Sequence, residues 1–242
     1  MFYIFREHIK QSLAVIAFLI TLTACTSDSY DAGDGPNSYL TADLVLLHTS
    51  QDKSVRSALL DDGTTLQFSN PFAQDWLTRP DSVYRALLYY DKTVAASDAA
   101  ASNHTATSIV RARSVRPVSV LRPVEAEDKE TLRTDPVGFE SLWLSKNKSY
   151  INLSLLLKSG KTEADDALHA LGIVSHGTTT DADRRRTLHL TLYHDQGGVP
   201  AYYTVQQYVS IPTQLLEEAD TVELTLNTYN GKKVVKVAVS NL

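Results

Sequence analysis

The chain carries seven histidines, which invites a search for metal-ligand or acid–base chemistry. His8 lies in the N-terminal leader. His169 and His176 fall in or beside loops. His189 and His194 sit five residues apart on one expected strand, so they point to opposite faces. A metal site needs ligands that return to one face, and no H-E-x-x-H or Cys/His spacing of that kind occurs. His194-Asp195 has the composition of an oriented base, but it directly precedes Gln196-Gly197-Gly198 and reads as a strand-end histidine beside a turn acid. There is no Gly-x-Ser-x-Gly elbow and no glycine-rich phosphate loop. Asp61-Asp62 and Asp165-Asp166 read as turn and loop acids. The expectation is therefore a protein with no catalytic residue, metal or cofactor.

Two groups of side chains are better suited to binding than to catalysis. Arg111, Arg113, Arg116 and Arg122 lie along one long expected strand, where Arg111 and Arg113 alternate with Val110 and Ala112. On a barrel they would offer a cationic stripe, and on any half-exposed strand they would be a solvated face. Arg184-Arg185-Arg186 reads as a loop tip beside Asp181 and Asp183. Tyr202 and Tyr208 share the side of their strand opposite its apolar face, a placement that fits a sugar- or protein-binding platform. A net charge of −5 argues against nucleic acid as a partner.

The one cysteine, Cys25, has a different role. Arg6 and Lys10 precede the apolar run Leu13 to Leu22, which has the length of an export-signal core and is short for a membrane span. The run ends in Leu22-Thr23-Ala24-Cys25, which resembles the bacterial lipobox. That resemblance implies a signal peptide over 1–24 and a diacylglycerol thioether on Cys25 as the first mature residue. Each buried acyl methylene would add about 0.8 kcal/mol of membrane affinity. Residues 25–38, rich in Asp, Ser and Gly, read as a flexible tether. Asp28, Asp31 and Asp34 loosely resemble the surface-export signals of Bacteroidetes lipoproteins. The expected location is the outer membrane of the cell, with the membrane as the first partner.

Beyond the tether the period-2 pattern of strands dominates, and the fold class is all-β. Strands are expected from Tyr39 to His48, with Leu40, Ala42, Leu44 and Leu46 on one face, and over Val55 to Leu60 and Thr64 to Ser69 around the turn Asp61-Asp62-Gly63. Val83 to Tyr90 and Ser108 to Val120 follow, with Pro117 marking where the last strand leaves its sheet. Five strands over 39–120 suit a small closed or partly open barrel. The polar stretch Leu121 to Gly138 reads as a connection at the start of a second domain, 121–242. Here Ile151 to Leu157, Leu188 to Leu192 and Tyr203 to Ile211 alternate, and Val222 to Leu226 and Val235 to Val239 flank Asn230-Gly231, a pair that favours a type I′ turn. All these strands read as antiparallel, stacked as a β-sandwich. Glu163 to Leu171 and Gln214 to Ala219 read as loops or single helical turns.

This order of features resembles the NigD-like lipoproteins of Bacteroidetes. The residues carrying the likeness are Leu59-Leu60-Asp61-Asp62-Gly63-Thr64-Thr65-Leu66, Arg85-Ala86-Leu87-Leu88-Tyr89-Tyr90 and Tyr229-Asn230-Gly231-Lys232-Lys233. The resemblance implies an N-terminal OB-like barrel followed by a C-terminal β-sandwich, and it brings no catalytic or ligand-binding residues. It is compatible with a lipid-anchored, non-enzymatic module for an envelope protein or glycan. The alternatives are a bacteriocin immunity protein, after the gene cluster that names the family, and a lipid-anchored hydrolase.

Overall fold

Alternation of apolar and polar residues becomes fourteen strands in the computed structural model, which describes residues 40–91, 107–125, 132–161, 168–216 and 219–239. The leader, Cys25, the tether and Asp165-Asp166 lie outside the described residues. The first five strands are β1 (Leu40–Thr49), β2 (Val55–Leu60), β3 (Thr65–Phe72), β4 (Val83–Asp91) and β5 (Thr107–Pro117). They close a barrel in the order β1-β2-β3-β5-β4, with β3 and β5 parallel and the pairs β1/β2, β2/β3 and β4/β5 antiparallel. Val45, Leu47, Leu66, Ala86, Leu88 and Val110 fill its interior.

The inward face of β1 differs from the expected one. Val45 and Leu47 point into the barrel, while Leu40 and Ala42 are exposed and Leu44 is buried on the other side. The strand is apolar on both faces from Leu44 to Leu47, because one face fills the barrel and the other meets the sandwich. Alternation cannot choose between two buried faces.

After Pro117 the chain leaves the barrel, and β6 (Ser119–Val120) joins a second system with β7 (Pro123–Glu125), β8 (Gly138–Leu144), β9 (Tyr150–Ser159), β10 (Ala170–Thr180), β11 (Arg186–Asp195), β12 (Tyr203–Pro212), β13 (Thr221–Thr228) and β14 (Gly231–Ala238). One sheet runs β14-β13-β11-β10-β7 and the other β6-β12-β9-β8. Between them lie Ile151, Leu153, Leu155, Ile173, Leu188, Leu190, Val209, Ile211 and Leu224, each almost wholly buried. The pairs β7/β10, β11/β13 and β6/β12 are parallel, so the sandwich is not antiparallel throughout. Parallel neighbours need long crossovers, and β11 reaches β13 by way of β12 in the opposite sheet.

Where it is described, at 121–125 and 132–138, the segment from Leu121 to Gly138 is no free connection. Leu121 donates its N–H to the Ser210 carbonyl at 2.9 Å, β7 pairs with β10, and Val137 is wholly buried. Its polar composition reflects short edge pieces, whose side chains face water while their backbone is paired. Glu163 to Leu171 likewise gives way to β10 from Ala170, and part of it lies outside the described residues. From Gln214 to Leu216 the chain completes one 3₁₀ turn, Thr213–Leu215.

Both hairpin turns close on glycine in a way that differs from a type I′ turn. Gly63 and Gly231 have φ of +89° and +102°, and neither Asp62 nor Asn230 has positive φ. Type I′ requires two such residues, whereas a three-residue loop with one left-handed glycine requires only one. The Gly231 position is open, with no atom within 4 Å of an added Cβ, so a substitution there acts through the backbone alone. Gly231→Val should lower folding stability by on the order of 1 kcal/mol or more in urea denaturation, since a β-branched residue fits positive φ poorly.

Candidate functional site

Barrel and sandwich belong to one compact unit, Thr41–Leu242, and what joins them begins with a charge in an apolar strand. On β4, Ala86, Leu88 and Tyr90 face the barrel interior, which turns Arg85, Leu87 and Tyr89 toward the sandwich. The Arg85 side chain is 1% exposed. It grips Asp61 of the β2–β3 turn through two parallel hydrogen bonds of 2.6 and 2.7 Å. It also donates to Asn152 Oδ1 at 3.0 Å and Ser210 Oγ at 3.1 Å, on strands β9 and β12 of the sandwich. Asn152 returns a bond to Asp61 Oδ2 at 3.1 Å, and Ser210 donates to Asn152 at 2.7 Å. The guanidinium lies 4.3 Å from the Tyr150 ring centroid. Asn152 and Ser154 are therefore buried polar residues on the face of β9 turned away from the sandwich core.

Beside this network a cleft of about 420 Å³ opens between the two halves. The barrel side contributes Asp43, Leu44, Asp61, Asp62 and Tyr89, and the sandwich side Glu140, Trp143, Lys146, Gln206 and Tyr208. Leu44 and Leu87 line its apolar base and cluster with Val118, with Tyr89, Trp143 and Tyr208 packed on them. Trp143 and Tyr208 meet edge to face, with centroids 6.4 Å apart at 83°.

Apart from Asp61, the carboxylates of the cleft are held by neutral donors. Glu140 Oε2 accepts from Ser154 Oγ at 2.6 Å and from Gln206 Nε2 at 2.5 Å. These bonds, Ser154 first and Gln206 second, hold its carboxyl below the usual range. Asp43 Oδ2 accepts from Tyr90 OH at 2.8 Å. Burial, with that bond second, pushes the Tyr90 phenol well above its ordinary value, so it remains a donor. The backbone N–H of Thr64, then its side chain, keeps Asp62 ionised. One oxygen of Glu140 and one of Asp43 thus accept nothing from the described residues.

The binding residues named from the sequence fall apart in space. Tyr202 is 78% exposed and lies against Gly160, where an added Cβ would come within 2.8 Å of the ring. Tyr208 is half-buried in the cleft, six residues or about 20 Å of strand away. The two form no common platform, because the barrel covers one end of β12 and leaves the other open. Arg111 and Arg113 are exposed on β5 and are not among the residues lining the cleft, and Arg113 is tied to Asp91 by an ion pair and by an Nε bond of 2.6 Å. Cys25 lies outside the described residues.

Histidines form two arrangements that spacing along the chain did not reveal. His189 and His194 do face opposite ways. His194 is 1% exposed, and its Nδ1 donates to the Asp135 carbonyl at 3.0 Å, so its Nε2 accepts from His169 Nδ1 at 2.9 Å. Desolvation, and next the neighbouring His194, lowers the His169 pKa. Asp195 turns away from this pair to accept from Gly197 N–H at 2.9 Å and Arg133 at 3.1 Å. On the outer face of the larger sheet, Thr179 Oγ1 lies 2.8 Å from His189 Nε2, and His189 Nδ1 lies 3.1 Å from Glu223. The order is that of a hydroxyl, a base and an orienting acid. However, Lys236 holds the same carboxylate at 2.9 Å and offsets its negative charge. Among the described residues no group of three or more His, Cys, Asp or Glu side chains is placed to hold a metal ion.

Solved structures share this architecture. A NigD-like immunity protein from Bacteroides caccae matches with a TM-score of 0.59 at 23% identity, over 81% of this chain and 91% of its own. A protein of unknown function from Bacteroides vulgatus matches with a TM-score of 0.57 at 16% identity, over 82% and 90%. A candidate lipoprotein from Bacteroides fragilis matches with a TM-score of 0.57 at 12% identity, over 83% and 98%. At these identities the likeness is one of fold. No curated protein matches the chain. Residues 120–239 match the family model of the NigD-like C-terminal beta sandwich domain, beginning at β6, where the chain has just left the barrel. Residues 120–239 are thus a NigD-like C-terminal β-sandwich domain, with a closed five-strand barrel ahead of it in this chain.

Proposed function

We propose that this protein is a non-enzymatic binding module of the cell envelope, held at the outer membrane through a lipid on Cys25, with the barrel–sandwich cleft as its binding site for an envelope glycan or protein. The observation that carries the reading is the cleft itself. It places three aromatic rings beside carboxylates and an amide whose positions are fixed by neighbours, and such a mix of apolar wall and few oriented polar groups is what ligand clefts are made of. The lipobox-like Leu22 to Cys25 supports the anchor.

Two measurements test the reading. Cys25→Ala in cells should abolish lipid labelling and move the protein out of the membrane fraction; persistence with detergent-soluble membranes would remove the anchor. Residues 26–242, immobilised, should retain a component of an envelope extract, and Trp143→Ala should abolish the retention with an unchanged melt. Retention indifferent to Trp143 would remove the cleft. Screening the same protein against ester, peptide and glycoside substrates tests the non-enzymatic part. Turnover lost in His189→Ala or His194→Ala, with the melt intact, would overturn it.

The second reading, immunity to a bacteriocin, is favoured by the fold shared with the NigD-like immunity protein of Bacteroides caccae. Deleting the gene would then sensitise cells to a toxin made by a neighbouring strain, and a plain binding module would leave sensitivity unchanged.

A further inference from the structure

We propose that the cleft selects a neutral, hydroxyl-rich segment of a polysaccharide, one or two sugar rings at a time. The inference rests on the reading of the cleft as the binding site and adds the chemical class of its ligand. Its volume of about 420 Å³ falls in the range of clefts for small ligands, roughly 300–1,000 Å³, and suits a short stretch of chain rather than a protein surface.

Three features of the walls fix the class. First, Tyr89, Trp143 and Tyr208 present apolar rings with a polar tip, and the C–H face of a sugar packs on such rings while its hydroxyls meet the tips. Second, Glu140 and Asp43 are set as hydrogen-bond acceptors. Each has one oxygen engaged by neutral donors (Ser154 and Gln206 on Glu140, Tyr90 on Asp43) and keeps the other for a ligand. A hydroxyl donating to such an oxygen makes a charge-assisted bond without adding charge. Third, the lining is short of cations. Arg85 is buried against Asp61, which leaves Lys146 as the lining's one cation against the acids Asp43, Asp62 and Glu140. A uronate, sulfate or phosphate would meet three acids against that one lysine, and so be disfavoured.

The test uses Trp143 as its own reporter. Trp76→Phe leaves it as the one tryptophan of the chain. Polysaccharide extracted from the envelope and treated with proteinase is separated by anion exchange into neutral and acidic pools. Each pool, and an oligolysine peptide, is titrated while Trp143 emission is followed. The neutral pool should give a saturable change that periodate oxidation of the sugars removes. Glu140→Gln should weaken it about tenfold, the loss expected when a hydrogen bond to a charged acceptor becomes one to a neutral amide. A response to the acidic pool or to oligolysine alone, lost in the Tyr208→Ala variant, would overturn the ligand class while leaving the cleft as a binding site. No response to any of the three probes would overturn the ligand class, and if retention of envelope extract were also indifferent to Trp143→Ala, the cleft reading would fall with it.

Discussion

Arg85→Ala is expected to lower folding stability by about 3–5 kcal/mol, the loss seen when one partner of a buried pair is removed and the other is left uncompensated. Asp61 would lose both strong bonds, and Asn152 and Ser210 would each lose a donor in a junction that water reaches poorly. Arg85→Lys should recover little, because an ammonium cannot make the parallel pair to Asp61 while reaching both Asn152 and Ser210. The exposed pair Arg56–Asp52, with side chains 60% and 61% exposed, is the control. Arg56→Ala there should change stability by no more than about 0.5 kcal/mol. Urea denaturation of the three variants measures the difference. An Arg85→Ala loss below about 1 kcal/mol would mean that the junction tolerates an unpaired Asp61, and so is wetter than its burial indicates.

Leu190→Ala should cost about 2–5 kcal/mol, because Leu190 is 1% exposed at the centre of β11, between β10 and β13, where neighbours cannot readily collapse. The more informative result is where that loss is felt. The two tryptophans of the chain report separately: Trp76 packs edge-on against Tyr84 of the barrel at 5.8 Å, and Trp143 lies in the sandwich. Since Arg85 and the Leu44–Leu87–Val118 cluster tie the halves together, both signals should move to one lower midpoint. Single-tryptophan variants make this visible. If Trp76 kept its original midpoint while Trp143 melted early, the halves would be independent.

Much of this fold was legible where one face of a strand is wet. The β2–β3 and β13–β14 hairpins, the five-strand barrel and the exit at Pro117 follow from alternation, turn residues and a proline. The pattern failed where its premise fails. β1 and β9 are buried on both faces, so alternation could not tell which face of β1 fills the barrel or that Asn152 and Ser154 are buried at the junction. β8 and β10 were not foreseen, because a bulge after Phe139 and another after Ser175, with Gly177 at φ +83°, break their period. The parallel pairs were illegible, since no local signal marks the partner of a strand across a crossover.

The candidate site was less legible than the fold. Its residues come from four separated stretches, 42–62, 87–89, 140–154 and 206–208. Tyr208 was singled out as an exposed aromatic, and it matters instead as half of a packed pair with Trp143. Arg85 was visible as a charge amid Tyr84, Ala86 and Leu87, the one signal that could have located the junction, since a charge on an apolar strand needs a buried partner. His169 and His194 lie 25 residues apart, and the antiparallel pairing of β10 with β11, which sets Leu171 opposite His194, brings them into contact.

The central claim, that the cleft is where this protein binds, is tested most directly by mapping backbone and indole amide shifts as envelope extract is added to labelled residues 26–242. The account expects the changes to gather on Trp143 with its indole N–H, Glu140, Gln206, Tyr208, Asp43 and Asp62, with Tyr202, Arg111 and Arg113 unmoved. Shifts gathered on Tyr202 or along Arg111 and Arg113, with Trp143 still, would contradict it.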